Sequence, residues 1–384
     1  MSRSKSSLKA KSPVSKERNY GIDLLRIISM IMIPTLHVLG HGGILDSAEK
    51  MSVKYELAWL LEIACYCASN VYSLISGYVG YGRKTKYSNI IYLYFQVVFY
   101  TVCTTVIAKS IDPALVKENA VQIAFSPVSK STYWYFSAYF CLFFVAPFLD
   151  ILVDKCTRKQ FEKLLLSLFV VFSLLPAFLY SDFGKTNAGY SFLWLAMLYL
   201  VGAYIKKYDV KIYENNNINL LLYAFCVLFT WLSKIIGDLL VTNFDAEPKG
   251  RGIFITYTSP TVVLCSVFLL VFFANIKCRK ATIAFVKFFA PVSFGVYLFH
   301  EEPIIRDNFI KHCFIQYLDF QPVMMILAVI GTALLIWLVG SLVDRVRLLI
   351  FDILHVKQFC GWTEKTLRNV FGKIENKIDK NRKL

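Results

Sequence analysis

Charged residues are scarce in this sequence, and they make up only 18% of its 384 residues. Hydrophobic residues make up 57%, and a soluble domain of this size does not bury so much apolar sequence. The short alternating strands of a membrane β-barrel are also lacking. Because a spanning segment must satisfy its own backbone hydrogen bonds, helices are the expected structure. The sequence therefore predicts an all-α, polytopic membrane protein.

Cysteine motifs are missing as well. No C-x-x-C pair occurs, and of the ten cysteines only Cys313 falls in a loop predicted to lie outside. These absences argue against a cysteine-ligated metal site and against a disulfide framework. We expect no bound metal and no bound cofactor.

Long hydrophobic runs, in contrast, recur along the whole chain. Each is long enough to cross about 30 Å of hydrocarbon as a helix. We count ten of them, so about ten transmembrane helices are predicted. They occupy approximately residues 22–40, 55–80, 88–108, 132–152, 163–180, 190–206, 217–241, 253–276, 283–302 and 323–351.

The positive charge of the chain is unevenly distributed. Its net value of +16 could indicate a nucleic-acid partner. If the N-terminus lies inside, however, the inside loops and tails carry 30 Lys and Arg, whereas the outside loops carry 10. This bias is the positive-inside signature of membrane proteins. It predicts an N-in, C-in orientation and makes the lipid bilayer, rather than a nucleic acid, the partner of the basic residues.

The chain is predicted to have three parts. Residues 1–19 are rich in Ser and Lys and are expected to form a disordered, basic cytosolic tail. Residues 20–352 form one transmembrane domain with short connections. Residues 353–384 are basic and carry apolar residues at helical spacing, which predicts an amphipathic cytosolic tail on the inner membrane surface.

Two groups in the first hydrophobic run are unusual for a membrane helix. Arg26 and His37 are eleven residues apart, which places them roughly 16 Å apart along a helix axis and within roughly 20° of one face. Asp23 is spaced to pair with Arg26. His37 lies too deep to reach the surface, and imidazole titrates near neutrality, as a general base requires. We therefore predict that His37 and Arg26 are catalytic.

Other polar residues are candidates for binding. The basic loop after the second predicted helix contains Arg83, Lys84 and Lys86. These residues could hold the phosphates of a cytosolic donor, or they could reflect topology alone. His300 and Glu301 end the ninth predicted helix, where they could bind a polar substrate or form a solvated helix end.

Further polar residues lie within the predicted spans. Glu62 could pair with another buried group such as Arg26 or His37, but the sequence does not place it. Lys234 and Asp238 are spaced four residues apart and are predicted to pair with each other.

Four motifs, in this order, resemble those of the acyltransferase 3 family of integral membrane acyltransferases. They cover about residues 20–350. The motifs are Arg26 and His37 as R-x10-H; Ser76-Gly77-Tyr78 as S-G-[FY] before a basic loop; Trp134-Tyr135, Tyr139 and Pro147-Phe148 as W-[YF]-x3-Y…P-[FL]; and Ser293 to His300 with Pro303 as S-[YF]-x-[IV]-Y-L-x-H-x-P.

The resemblance implies transfer of an acyl group, usually acetyl, from cytosolic acyl-CoA to a hydroxyl of a cell-surface or lipid-linked polysaccharide. It implies that His37 is the catalytic histidine and Arg26 its paired arginine, in the plasma membrane of a bacterium. The candidate substrate-binding residues are Glu62, Ser76, Trp134, His300 and Glu301.

The sequence departs from the family pattern at two positions. The basic loop has Lys86 where the family often has the second arginine of an R-x-x-R pair, and a lysine cannot make the same bidentate phosphate contact. Pro303 is displaced by one residue, since the helix end reads H-E-E-P.

Two other hypotheses about function rest on the same buried ionisable groups. A proton-coupled transporter or exporter of a glycan or small molecule could use His37 and Glu62 as a proton relay. Such a protein is expected to show inverted repeats with broken helices in both halves, and the sequence has no convincing halves. The third hypothesis is that the protein is a relative of the family that exports or senses rather than acylates.

Overall fold

The computed structural model describes residues 18–116, 119–211, 215–244 and 254–381. Within these ranges all regular secondary structure is helical. The predicted all-α fold is therefore confirmed. The prediction of a disordered tail at residues 1–19 falls mainly on residues 1–17, which lie outside the described residues.

Thirteen helices of eight or more residues form the described part of the chain. They are α1 (Tyr20–Leu39), α2 (Val53–Tyr66), α3 (Ala68–Gly80), α4 (Tyr87–Ile111), α5 (Trp134–Lys155), α6 (Arg158–Phe169), α7 (Phe192–Tyr208), α8 (Asn217–Phe244), α9 (Pro260–Ala274), α10 (Lys280–Phe289), α11 (Ser293–His300), α12 (Pro322–Ile353) and α13 (Val356–Asn381). Shorter helical segments are Ile44–Ser47, Pro113–Leu115, Ala120–Phe125, Val170–Leu174, Leu175–Leu179, Asn187–Gly189, Ala290–Val292, Pro303–Ile305, Arg306–Ile310 and Ile315–Asp319.

Eight stretches of the described chain are long and apolar enough to cross a membrane. They are Tyr20–Ser47, Val53–Gly80, Tyr87–Ile111, Trp134–Lys155, Arg158–Leu179, Asn217–Val241, Lys280–His300 and Pro322–Ile353. The protein is thus a multi-pass membrane protein. The other two predicted spans correspond to α7 and α9, which have 17 and 15 residues. The count of ten and the N-in, C-in orientation stay predictions.

Two predicted spans are interrupted. The run at 55–80 consists of α2 and α3, which meet at Cys67, where ψ is −8°. The run at 283–302 consists of α10 and α11, separated by the short turn Ala290–Val292. Pro291 in that turn has no backbone N–H to donate, so a continuous helix is disfavoured there. The second break sets the position of α11, which carries His300.

Helix α1 lies at the centre of the helix packing, and it contacts α2, α3, α9, α10, α11 and α12. Its start is fixed by Asn19, whose side chain accepts hydrogen bonds from the backbone N–H groups of Gly21 and Ile22. The same side chain donates to the carbonyl oxygen of Ala274, at the end of α9, at 2.8 Å. This contact ties one end of α1 to α9.

Buried ion pairs lie elsewhere in the bundle, and one of them connects two helices. The predicted pair of Lys234 and Asp238 is confirmed at 2.9 Å, and Lys234 also lies 2.9 Å from Glu56 on α2. On α12, Arg347 pairs with Asp344 at 2.6 Å, and both are almost fully buried. Because each buried charge has a partner, the cost of removing it from water is partly offset.

Candidate active site

One face of α1 borders a small cavity of about 30 Å³. Met30, Ile33 and His37 line it from α1, at the spacing of one helix face that also includes Arg26. The remaining walls are mainly aromatic and come from α3, α5, α11 and the segment before α9. They include Tyr72, Trp134, Tyr135, Tyr257, Phe294 and Tyr297. The cavity therefore places an imidazole at an apolar, aromatic surface.

His37 contacts a second histidine. Its Nδ1 atom lies 2.9 Å from Nε2 of His300 on α11. Nδ1 of His300 lies 2.6 Å from the carbonyl oxygen of Val296, and a carbonyl can only accept, so this nitrogen carries the proton. When His300 is neutral, its Nε2 accepts from Nδ1–H of His37. The free lone pair of His37 is then on Nε2.

A carboxylate completes this cluster. Oε1 of Glu301 lies 3.1 Å from Nδ1 of His37 and 3.4 Å from Nε2 of His41. Glu301 directly follows the span that ends at His300. Through the contact at 3.1 Å, a carboxylate at Glu301 can stabilise a protonated His37.

Arg26 lies toward the other end of α1. Its guanidinium pairs with Asp23 at 2.6 Å, which confirms the predicted pair, and Asp23 also binds Arg18 at 2.5 Å. The hydroxyl of Tyr72, which lines the cavity, donates to the carbonyl oxygen of Arg26 at 2.8 Å. Arg26 is thus adjacent to the cavity wall without lining the cavity itself.

A family model described as an acyltransferase domain matches residues 19–341 of the chain. The chain belongs to the acyltransferase 3 family. The predicted resemblance to this family is thereby confirmed. Comparisons with curated proteins and with solved structures gave no match.

The family's motif residues are brought together only in part. Trp134 lines the cavity, and His300 and Glu301 both contact His37. Ser76 instead donates to the carbonyl oxygen of Tyr72 at 2.9 Å, within α3. It therefore contacts the backbone of Tyr72, a residue that lines the cavity.

Glu62 lies elsewhere in the membrane domain of this family member. It is buried on α2, and its Oε2 atom has no hydrogen-bond partner among the described residues. It does not line the cavity around His37. Within the described part of the chain, Glu62 forms no ion pair with His37 or Arg26.

The basic loop contributes no residue to the cavity at His37. Arg83, Lys84 and Lys86 are exposed, between α3 and α4. Helix α13 packs beside the loop, where Arg368 donates to the carbonyl oxygen of Thr85 at 3.3 Å. The role of this loop in donor binding stays a prediction.

The cluster also has the composition of a possible metal site. His37, His300 and Glu301 each offer one ligand atom, and these atoms lie within 4.8 Å of one another. Imidazole and carboxylate ligands suit zinc and similar ions. The expectation that the protein binds no metal stays a prediction, which a chelation experiment can check.

Sequence reasoning missed several residues of the site. Tyr135 is buried in the cavity wall, and its hydroxyl has no hydrogen-bond partner among the described residues. Tyr297 lies one helical turn before His300, a spacing that could have assigned it to the same face. His41, which the sequence places one turn after His37 as a structural or substrate-lining residue, contacts Glu301. No sequence signal shows that α11 places Glu301 beside both histidines.

Proposed function

We propose that this protein transfers an acyl group, such as acetyl, from cytosolic acyl-CoA to a hydroxyl of a cell-surface or lipid-linked polysaccharide. The observation that carries the proposal is the contact of His37 with His300 and Glu301 at the cavity, in a chain of the acyltransferase 3 family. On this proposal the protein works in the plasma membrane of a bacterium.

In the proposed reaction, the acceptor hydroxyl attacks the thioester carbonyl carbon. Nε2 of His37 takes the hydroxyl proton as the new C–O bond forms, because an alcohol is a poor nucleophile while it keeps that proton. The C–S bond then breaks, and the thiolate of CoA receives the proton from His37. Ester and free CoA thiol are the products, so atoms and charge balance.

Glu301 and His300 would orient the base. Both contact Nδ1 of His37, which leaves Nε2 available for the proton transfer. The carboxylate of Glu301 would also stabilise the imidazolium that forms during the reaction. The proposal therefore assigns Glu301 the role of a positioning residue.

Arg26 suits the donor side of the proposed path. It is roughly 16 Å from His37 along α1, so both side chains cannot contact the same reacting atom. With the N-terminus inside, Arg26 would face the cytosolic half of the membrane, where acyl-CoA arrives. It would therefore guide the anionic donor rather than stabilise the tetrahedral intermediate.

The cavity would have to widen during turnover. A volume of about 30 Å³ holds water but not an acyl thioester with its acceptor. Its walls are largely side chains of Tyr72, Trp134 and Tyr297, which can change rotamer without moving a helix. We expect these aromatic residues to move when the acyl group enters.

The test is replacement of His37 by glutamine. We expect His37→Gln to lower acyl transfer by about 100- to 10,000-fold, the contribution of a positioned general base. Acyl content of the surface polysaccharide, measured by mass spectrometry, and turnover by purified protein are the readouts. His355→Gln is the matched control, because His355 is exposed at the start of α13. Normal acylation by a well-inserted His37→Gln protein would contradict the proposal.

Chelation separates a base from a metal in the same experiment. We expect the wild-type protein to keep its activity after treatment with a strong chelator. Loss of activity that zinc restores would show that His37, His300 and Glu301 act as ligands, and general-base catalysis by His37 would be wrong.

A proton-coupled transporter remains the alternative. The observation that favours it is the Oε2 atom of Glu62, which has no hydrogen-bond partner among the described residues. The two functions predict opposite effects of Glu62→Gln. A transporter loses proton-coupled flux, whereas an acyltransferase with His37 as the base keeps its turnover of acyl-CoA.

A further inference from the structure

A second and much larger pocket, of about 400 Å³, lies at the N-terminal end of α1. Residues 18–21 form one side, and the connection from α9 to α10 forms another through Lys277 and Cys278. Lys206, near the end of α7, contributes the third side. None of the residues around this pocket lines the cavity at His37.

The pocket is positively charged. Arg18, Lys206 and Lys277 line it, and none of the described residues that line it is acidic. Arg18 is partly neutralised by Asp23, which lies 2.5 Å away. Lys206 lies 5.1 Å from the ring centre of Tyr78, a contact that keeps its charge. The pocket therefore attracts anions.

Helix α10 adds to this field. Its first turn borders the pocket through Ile283, and its N-cap residue Arg279 makes no side-chain hydrogen bond to the first amides of the helix. Free amides at a helix N-terminus carry partial positive charge and favour phosphate groups. The N–H of Ile283 itself donates to the carbonyl oxygen of Arg279, so α10 contributes the field of its N-terminus, and the three cationic side chains supply the contacts for an anion with several oxygen atoms.

We propose that this pocket binds the phosphate groups at the nucleotide end of the acyl donor. This assignment rests on the proposed function and names where its donor is held. A volume of about 400 Å³ is within the range of small-molecule sites. Tyr20 also lines the pocket, and the guanidinium of Arg18 lies 5.5 Å from its ring centre.

The position of the pocket along α1 agrees with such a donor. Acyl-CoA carries its phosphates at one end and its thioester at the other end of a long, flexible arm. From Tyr20 to His37 there are 17 residues, about 26 Å along the helix axis. An extended arm would therefore run beside α1, past Arg26, toward the cavity at His37.

The basic loop of Arg83, Lys84 and Lys86 is the rival site. These residues are exposed and do not line either of the two cavities described above. Arg18 and Lys277 of the pocket are exposed as well, so charges are screened by salt at both sites, and the difference between the sites is their shape. A concave pocket with the same number of cations excludes more water and holds the anion from several sides.

The experiment measures binding of adenosine 3′,5′-bisphosphate to full-length protein in nanodiscs of zwitterionic lipid. This probe has the donor's phosphates and no acyl arm. We expect the double variant Lys206→Gln/Lys277→Gln to bind it at least about tenfold more weakly, because it removes two of the three cations that line the pocket. The matched control is Lys159→Gln/Lys163→Gln, which removes two exposed lysines of α6 and should leave the affinity unchanged.

A third variant tests the rival site. If Lys84→Gln/Lys86→Gln loses the probe while Lys206→Gln/Lys277→Gln binds it normally, the pocket assignment is wrong. It is also wrong if wild-type protein fails to bind the probe but retains phosphatidylglycerol through purification in a Lys206- and Lys277-dependent way. In that case the pocket is a lipid headgroup site.

The experiments distinguish an error in the phosphate-site assignment from an error in the proposed reaction. If wild-type protein acylates its acceptor and Lys206→Gln/Lys277→Gln has an unchanged KM for acyl-CoA, the pocket assignment fails and the reaction stands. If the probe binds in the pocket but no acyl donor is ever turned over, the reaction fails and the phosphate site stands. His37→Gln should bind the probe as wild type does.

Discussion

The chemistry available to His37 depends on residues of a different helix. Val296 fixes the proton of His300 on Nδ1, and His300 then accepts from Nδ1 of His37. The carboxylate of Glu301 lies beside the same nitrogen. A histidine in lipid without these neighbours would have no defined tautomer. The break between α10 and α11 therefore matters for function, because it positions these partners.

Glu302, the next residue, gives a prediction about pH. It follows the span that ends at His300, and its side chain accepts from the N–H groups of Ile304 and Ile305. Burial raises the pKa of Glu302 to about 7, above its ordinary value of 4.5. Protonated Glu302 therefore stabilises the fold fully below pH 4.5, and this stabilisation is lost as the pH rises through 7. Above pH 7 the fold carries a buried, ionised carboxylate.

We expect Glu302→Gln to remove this dependence. Glutamine accepts the same N–H groups and stays neutral, so the variant should be more stable than wild type at pH 8 and no more stable at pH 4.5. The gain is on the order of 3 kcal/mol, from the difference between the two pKa values. Melting temperatures in detergent at both pH values measure it. Glu49→Gln, at an exposed position, is the control, and an equal shift there would contradict the explanation.

Residue-level features of the site could be predicted only where they depend on local spacing. Arg26 and His37 share a face because both belong to one uninterrupted helix, and that spacing is visible in the sequence. The proximity of His37 to Glu301 depends on how α11 packs against α1, which no local pattern encodes. Glu62 was predicted as a possible partner on charge alone, and packing leaves it outside the cavity.

At the scale of helices, α3 and α7 approach each other closely through two glycines. Gly77 on α3 lies against the backbone of Tyr199, and Gly202 on α7 lies against the carbonyl oxygen of Leu74. A Cβ atom at either glycine would collide with that backbone. Ser73 adds a hydrogen bond of 2.7 Å to the carbonyl oxygen of Leu195. Small residues that allow backbones to approach are a common way to pack membrane helices.

We therefore expect Gly202→Ala to destabilise the protein by about 1–3 kcal/mol, the usual cost of forcing extra volume into a packed interface. Gly331→Ala is the matched control, because Gly331 on α12 has open space around it. That change should be neutral or stabilise by up to about 1 kcal/mol, since alanine favours a helix. Thermal unfolding in detergent compares them, and equal melting temperatures of the two variants would show that the α3–α7 contact is not tight.

Helix positions followed from the sequence more readily than helix ends and breaks. The final predicted run, 323–351, agrees closely with α12 (Pro322–Ile353), because a long apolar run in lipid has only one way to satisfy its backbone. Hydropathy did not locate the break at Cys67, since apolar residues continue on both sides of it. It also did not show that α9 begins only at Pro260, seven residues after the start of the predicted run at 253.

At the scale of the whole molecule, α1 connects two different chemical environments. Its 20 residues extend about 30 Å, close to the thickness of the hydrocarbon core. The basic pocket lies at its first residues, and the histidine cluster lies in its last two turns. A donor with phosphates at one end and a reactive group at the other can engage both. The proposed reaction requires that the pocket end faces the cytosol.

Two native cysteines test this orientation. Cys278 lines the basic pocket beside Gly21, at the start of α1. Cys313 lies between His312 and Phe314, whose N–H groups donate to the carbonyl oxygens of His41 and Gly42 just after α1. These two cysteines therefore mark opposite ends of α1, and we expect an impermeant maleimide to label them from opposite sides of the membrane.

With the predicted N-in orientation, right-side-out vesicles should label Cys313 and inverted vesicles should label Cys278. Burial raises the pKa of the Cys278 thiol, so labelling is carried out at pH 8 or above, where more thiolate is present. Cys278→Ser and Cys313→Ser identify each signal by its loss. The reverse pattern would put the basic pocket outside, away from cytosolic acyl-CoA, and would contradict both the orientation and the donor site. Labelling of both cysteines from one side would contradict a membrane-spanning α1.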